Sequence, residues 1–293
     1  MINIFSFSAM ALYLGAWILL LRGLSSQKKY ASRPFEIMLT YLAVIAHGLT
    51  LAPPIILEET PNLALGTTLS LIVFLIVTLF LIVRCFQPIY SLGLLVLPIA
   101  FSAVAIGWWI PGPTYLSQLG GAAGLMHVTG AGLAYALLSL ALAQALLLGF
   151  QDKRLKQKQS FSLDMALPPI QTMEVTLFQM VYSGFGLLTL TLISGVLSSN
   201  DMFGKSFLFN HHTVLALLAW ISLLGLVLGR ICFGWRGRIA IVWTGLGFTL
   251  LALGYFGSRF VLEIILGVLA YLFFMKQRKT YPDTTKTPLR FSN

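Results

Sequence analysis

Charge is scarce in this chain, and acid is scarcer than base. Only 10% of its 293 residues are charged, and 9 acidic residues stand against 19 lysines and arginines. A soluble domain carries roughly 25% charge. A chain with 58% hydrophobic residues has more apolar surface than a soluble interior can hide, which excludes an ordinary soluble protein. Cysteine is nearly missing: Cys85 and Cys232 stand alone, with no C-x-x-C and no C-x-x-C-H. The chain is therefore neither a thiol oxidoreductase nor itself a c-type cytochrome. Both cysteines fall near the expected cytoplasmic ends of apolar runs. They read as small packing groups in a reducing compartment, not as a disulfide. Glycine-rich phosphate loops and nucleophile–base–acid motifs are also lacking. Histidine is limited to His47, His127, His211 and His212.

What the chain does have is apolar length. Several runs are long enough to cross about 30 Å of hydrocarbon at 1.5 Å per helical residue. The expected spans are residues 4–21, 35–57, 65–83, 89–109, 124–149, 176–197, 211–231 and 239–257. Residues 260–275 are apolar but short, and read as a ninth span or an extra helix. The fold class is all-α, a polytopic transmembrane bundle over residues 1–275, with a basic tail over 276–293. The first cation is Arg22, so the opening run lacks a basic leader and reads as a retained span.

Cations mark the sides of the membrane. Arg22, Lys28, Lys29 and Arg33 follow span one, and Arg84 follows span three. Lys153, Arg154, Lys156 and Lys158 follow span five, and Arg236 and Arg238 precede span eight. The alternate loops hold little positive charge. The amino terminus is expected outside and the basic loops in the cytoplasm. The net charge of +10 then belongs to loops that face anionic lipid. The cations are spread over many loops rather than gathered on one face, which argues against nucleic acid as a partner. The stretch GFQDKRLKQKQ after span five is basic and amphipathic, and suits a lipid surface.

On this topology His127 opens span five, and His211 and His212 open span seven, at the same face of the membrane. His47 sits near the middle of span two. An unpaired polar group in hydrocarbon costs several kcal/mol, so each ring needs a partner. Interhelical hydrogen bonding is one answer. The other is metal ligation: two imidazoles from facing helices are the usual axial pair for haem iron. His127 and His211 are the candidate pair. Gly130, Ala131, Ala134, Ala141 and Ala145 share the His127 face of the helix. They leave room for a flat ligand or form a seam for a neighbouring helix. Tyr135 lies two turns below His127, in reach of a haem propionate or another helix. Zinc would need three or four ligands, and no acidic residue joins these histidines within the spans apart from Glu36 and Glu263 near their ends. Trp108 and Trp109 end span four as an aromatic belt. Pro53 and Pro54 are expected to break span two after His47.

Longer stretches carry a resemblance. AHGLTL around His47, HVTGAGLAYALLSLALAQALLLGFQDKRLK from His127, LPPIQTME from Leu167 and LLTLTLISG from Leu187 appear in order. HHTVLALLAW from His211, GWRGRIAIVW from Gly234 and LALGYFGSRFVLE from Leu251 follow. Together they resemble the transmembrane cytochrome c assembly family, and within it a small branch of bacterial inner-membrane proteins. The resemblance implies a helical bundle with haem bound near the periplasmic face and an amino terminus in the periplasm. The cofactor it implies is non-covalent, b-type haem. The implied partners are haem, membrane lipid and other cytochrome c maturation proteins. It implies a haem-handling protein that is not itself an enzyme. His127 and His211 match the histidines that open the corresponding helices. His47 matches the mid-membrane one and would be a second or relay site. His212 falls where the family often has lysine and ranks below His211. The larger members carry a tryptophan-rich W-G-x-x-W-x-W-D segment thought to hold haem for transfer, and this chain has none. A solute or ion permease with His47 in its pathway is the alternative function. A b-type electron carrier is a third.

Overall fold

A computed structural model of the chain describes residues 2–25, 34–57, 64–109, 121–157, 167–197 and 211–257. These residues form α1 (Ile2–Ser25), α2 (Pro34–Ala52), α3 (Leu65–Phe86) and α4 (Gly93–Trp109). They continue with α5 (Gly121–Lys156), α6 (Ile170–Leu197), α7 (His211–Phe233) and α8 (Arg238–Ala252). Eight helices are long and apolar enough to cross a membrane, and no strand occurs among the described residues. The expected spans agree with them to within a few residues. The exceptions are α5, which runs on to Lys156, and α6, which begins at Ile170. Residues 260–275 and the 276–293 tail lie outside the described residues.

Proline chemistry shapes two of the helices. Pro53 and Pro54 lack the amide hydrogens that would continue α2, and the chain passes into one π-helical turn over Pro53–Leu57. Pro98 lies inside α4 and frees the carbonyl of Leu94, four residues back. The indole Nε1 of Trp17 in α1 donates to that carbonyl at 3.2 Å. A backbone acceptor left open in hydrocarbon is thus closed by a side chain of the next helix.

Two groups of four helices result. In the first, α1 packs on α2 and α4, and α3 packs on α4 and α2. In the second, α5 packs on α6 and α8, and α7 on α8 and α6. The α3–α5 contact joins the groups. The α5–α6 pair is the most extensive. Small residues permit it: a Cβ on Gly184 would come within 2.8 Å of Leu138. Ala134, Ala141 and Ala145 are buried, as a small-residue seam requires.

Arg22, Arg84, Arg230 and the lysines of α5 lie in the last turns of their helices, and Arg238 opens α8. Helices consecutive in the chain run antiparallel, so these cations gather at one end of the bundle, the basic end. The heads of α5 and α7 lie at the other, the histidine end. Large apolar side chains such as Ile45, Leu190 and Ile231 are exposed around the outside, where acyl chains meet the protein.

Candidate functional site

The histidines divide between the two helix groups. His47 belongs to the first and is wholly buried. The Tyr13 hydroxyl of α1 lies 3.1 Å from its Nδ1. The Ser70 hydroxyl of α3 lies 2.9 Å from its Nε2. Phe74 and Tyr13 meet the ring edge-on, with centroids 5.5 and 5.9 Å away. Both nitrogens are therefore engaged by protein, and His47 as placed presents no open lone pair. Ser70 also lines a cavity of about 50 Å³ at the histidine end, with Ser6, Thr50 and Thr67 among its walls.

His127 belongs to the second group and is half-buried. Its Nδ1 lies 2.9 Å from the Ser194 hydroxyl of α6, and that hydroxyl donates to the Thr191 carbonyl at 3.0 Å. A hydroxyl has one proton. With its proton directed to Thr191, the Ser194 oxygen can accept from Nδ1–H of His127, and the Thr191 backbone is also within reach of the ring. In the tautomer with the proton on Nδ1, Nε2 carries the lone pair. Gly195 keeps the ring in place, because a Cβ there would lie 3.0 Å from Cε1 and 3.9 Å from Nε2 of His127. Metal-ligating histidines ordinarily donate their second ring N–H in this way, which fixes ring orientation and raises basicity.

The head of α7 supplies two more imidazoles, both exposed. The His212 ring meets Tyr255 edge-on with centroids 6.1 Å apart, and His211 precedes it at the head of α7. Tyr255 continues to Phe256 at 5.3 Å, Phe256 to Tyr135 at 5.6 Å, and Tyr135 to Phe248 at 5.2 Å. An aromatic wall from α5 and α8 thus runs from His212 down to Tyr135. Gly254 lets the end of α8 approach the first turn of α7, where a Cβ would lie 3.5 Å from the His212 carbonyl. The small-residue face of α5 packs against helices: a Cβ on Gly130 would lie 3.0 Å from Thr191 of α6. Among the described residues no three of His, Cys, Asp and Glu come together as a metal-holding group, the three histidines at this end included.

Ser194, Gly195, Tyr13 and Ser70 were not singled out from sequence. Ser194 and Gly195 lie in LLTLTLISG, at the end of the helix that neighbours His127, and antiparallel packing alone puts them at its depth. Tyr13 and Ser70 are single polar groups within apolar runs, which is the signal that an intramembrane imidazole needs partners.

The basic end holds the other charged contacts. Arg84 makes a bidentate pair with Glu36 at 2.7 and 2.9 Å, with side chains 10% and 0% exposed. Glu174 accepts from the Gly237 amide at 2.6 Å, just ahead of α8. Gly237 has a positive φ of 57°, which favours glycine. Arg230 donates to the Trp235 carbonyl at 2.9 Å. LPPIQTME and GWRGRIAIVW thus meet in one knot that ties α6, α7 and α8. Lys156 pairs with Asp152 at 2.7 Å on the exposed extension of α5. Cys85 and Cys232 are exposed free thiols, which corrects the expectation that they pack inside. Both fall in last turns that project to the rim of the bundle. Trp109 is exposed, and Trp108 donates to Asn3 at 3.1 Å.

A bundle of eight membrane-crossing helices with an oriented imidazole at the rim defines a class of protein that the comparisons resolve. The sequence pattern described as "Cytochrome C assembly protein" matches residues 36–266, and the chain belongs to that family. It is 30% identical to the inner membrane protein YpjD of Escherichia coli K12 over 269 residues, covering 89% of this chain and 99% of that one. It is 29% identical to a 28.8 kDa protein of Azospirillum brasilense over 151 residues, covering 50% of this chain and 56% of that one. It is 28% identical to the cytochrome c biogenesis protein CcsA of Synechococcus sp. JA-2-3B'a(2-13) over 91 residues, covering 31% and 26%. No solved structure matches.

Proposed function

We propose that this protein handles haem in cytochrome c biogenesis, as a multi-pass protein of the bacterial inner membrane that binds rather than catalyses. Its amino terminus and histidine end face the periplasm, because the cations gather at the opposite end. The observation that carries the reading is the 2.9 Å contact of Ser194 with Nδ1 of His127: in the tautomer in which Ser194 takes Nδ1–H, Nε2 is left to ligate iron. His211, at the head of α7, would be the second imidazole to hold the haem, and His212 stands beside it. The aromatic wall of Tyr255, Phe256 and Tyr135 offers a porphyrin an apolar face, with the Tyr135 hydroxyl for a propionate. A haem held by two histidines there would be non-covalent and b-type. What the chain contributes is orientation: Ser194 and Gly195 fix one ring, and the Gly254 contact fixes the turn that bears the other. The membership in the cytochrome c assembly family and the partial similarity to CcsA proteins support the pathway. Lipid is the solvent of the bundle, and other maturation factors are the partners that receive or supply haem.

The test is the reduced-minus-oxidised visible spectrum of protein purified from haem-sufficient cells. Wild type is expected to show a bis-imidazole signal. His127→Ala and His211→Ala are each expected to lose it, while His47→Ala retains it. A pigment that survives both rim substitutions, or solute flux through vesicles without any pigment, overturns the reading.

A further inference from the structure

The cavity beside Ser70 lies in the first helix group, apart from the rim histidines. Its walls come from the histidine end of α1 to α4 and include Ser6, Thr50, Thr67, Ser70, Val104 and Trp108. Ligand pockets for drug-sized molecules span about 300–1,000 Å³, so about 50 Å³ is far too small for a porphyrin. A single water needs about 10–15 Å³ of such space and two to four polar partners. Four hydroxyls line this cavity. Thr50 donates to the His47 carbonyl at 2.7 Å, which leaves its oxygen to accept. Ser70 reaches Nε2 of His47 at 2.9 Å. Gly107 keeps the space open: a Cβ there would lie 3.2 Å from Ser70 Cβ and 3.4 Å from its hydroxyl oxygen. An apolar void of this size stays dry, whereas hydroxyls around a small opening are the setting of ordered water.

We propose that this cavity holds water and that Ser70 links that water to His47. The hydrogen-bonded chain then runs from the histidine end of the bundle through water and Ser70 to the imidazole, and ends on Tyr13. His47 is by this account a solvent-connected proton-exchange group inside the bundle. No bond to iron is needed, and the inference stands independently of haem at the rim.

The test uses the full-length protein in lipid vesicles. Radiolytic hydroxyl labelling, read by mass spectrometry, marks side chains beside ordered water. Val104 and Leu51 line the cavity and are buried, and Leu97 and Val77 are fully buried elsewhere in the same helix group. Val104 and Leu51 are expected to label, Leu97 and Val77 to stay unlabelled, and Ser70→Leu to abolish the cavity labels. The second readout is deuterium exchange of the His47 ring N–H, followed by NMR with 15N-histidine. Ser70→Ala is expected to slow it by about tenfold, the rate equivalent of one lost hydrogen bond. Gly107→Ala, which crowds the cavity with a single methyl, serves where Ser70→Leu does not fold, and is expected to lower both signals. Labelling of Val104 no different from Leu97, or exchange unchanged in Ser70→Ala, overturns the proposal.

Discussion

Ser194 holds His127 from the next helix: the Oγ–Nδ1 distance is 2.9 Å, and the same hydroxyl donates to Thr191 O at 3.0 Å. His47 has the same kind of partner in Ser70, at 2.9 Å, but also Tyr13 at 3.1 Å. The second hydroxyl on His47 engages both of its nitrogens, whereas one hydroxyl meets the His127 ring. That difference is what favours the rim over the middle of the bundle for the proposed haem ligation.

Removing the orienting hydroxyl gives the first prediction. Loss of an outer-shell partner typically costs 10–100-fold in metal affinity. Ser194→Ala is accordingly expected to weaken haem binding by about 10–100-fold without abolishing it, in a titration of solubilised apoprotein. Gly195→Val is expected to be worse, because a Cβ there already lies 3.0 Å from the ring. Gly186→Ala, in the same helix with nothing within 4 Å of its added methyl, is expected to bind as wild type. Equal affinities in all four proteins would remove Ser194 and Gly195 from the site.

The Glu36–Arg84 pair at the basic end gives the second. Breaking a buried pair by removing one partner costs about 3–5 kcal/mol, whereas replacing both with apolar residues is often neutral. Glu36→Leu and Arg84→Leu are each expected to lower the thermal midpoint in detergent markedly. The double variant Glu36→Leu/Arg84→Leu is expected to recover most of the loss. Additive losses in the double variant would show that the two side chains act separately.

The third concerns Trp17 and Pro98. Trp17→Phe leaves the Leu94 carbonyl unpaired, at a cost of about 1–3 kcal/mol. In a Pro98→Ala background the restored amide at 98 takes that carbonyl, and Trp17→Phe is expected to cost much less. A double-mutant cycle on thermal stability measures the coupling. A cycle that closes to zero contradicts the account of α4.

The fourth concerns the knot at the basic end. Glu174→Ala removes the acceptor for the Gly237 amide, and losses of this capping kind cost about 1 kcal/mol. Faster hydrogen exchange is expected over residues 237–241, with none over the rim histidines. Unchanged exchange at Gly237 would show that Glu174 does not hold the start of α8.

The spans were readable from sequence because hydrocarbon thickness sets a length and lipid allows only apolar faces. The Pro53–Pro54 break was readable for a similar reason, since a missing amide hydrogen is a local fact. The α5 extension to Lys156 was less so, because its polar end lies beyond the apolar run. The pairing of Glu36 with Arg84 was not legible: the two are 48 residues apart and meet only when α2 and α3 dock. The same holds for the site. His127 and His47 stood out as imidazoles in apolar runs, but which nitrogen is open depends on Ser194, Tyr13 and Ser70, each on another helix. Tyr135 was legible as a polar tip two turns below His127. Its place in a wall with Phe248 and Phe256 depends on α8.

Replacing the ring and then supplying it from solution tests the central claim most directly. His127→Gly, purified with haem, is examined by electron paramagnetic resonance of the ferric form before and after addition of free imidazole. The low-spin bis-imidazole signal of wild type is expected to vanish in His127→Gly and to return with imidazole. A low-spin signal already present in His127→Gly without imidazole would contradict ligation by His127.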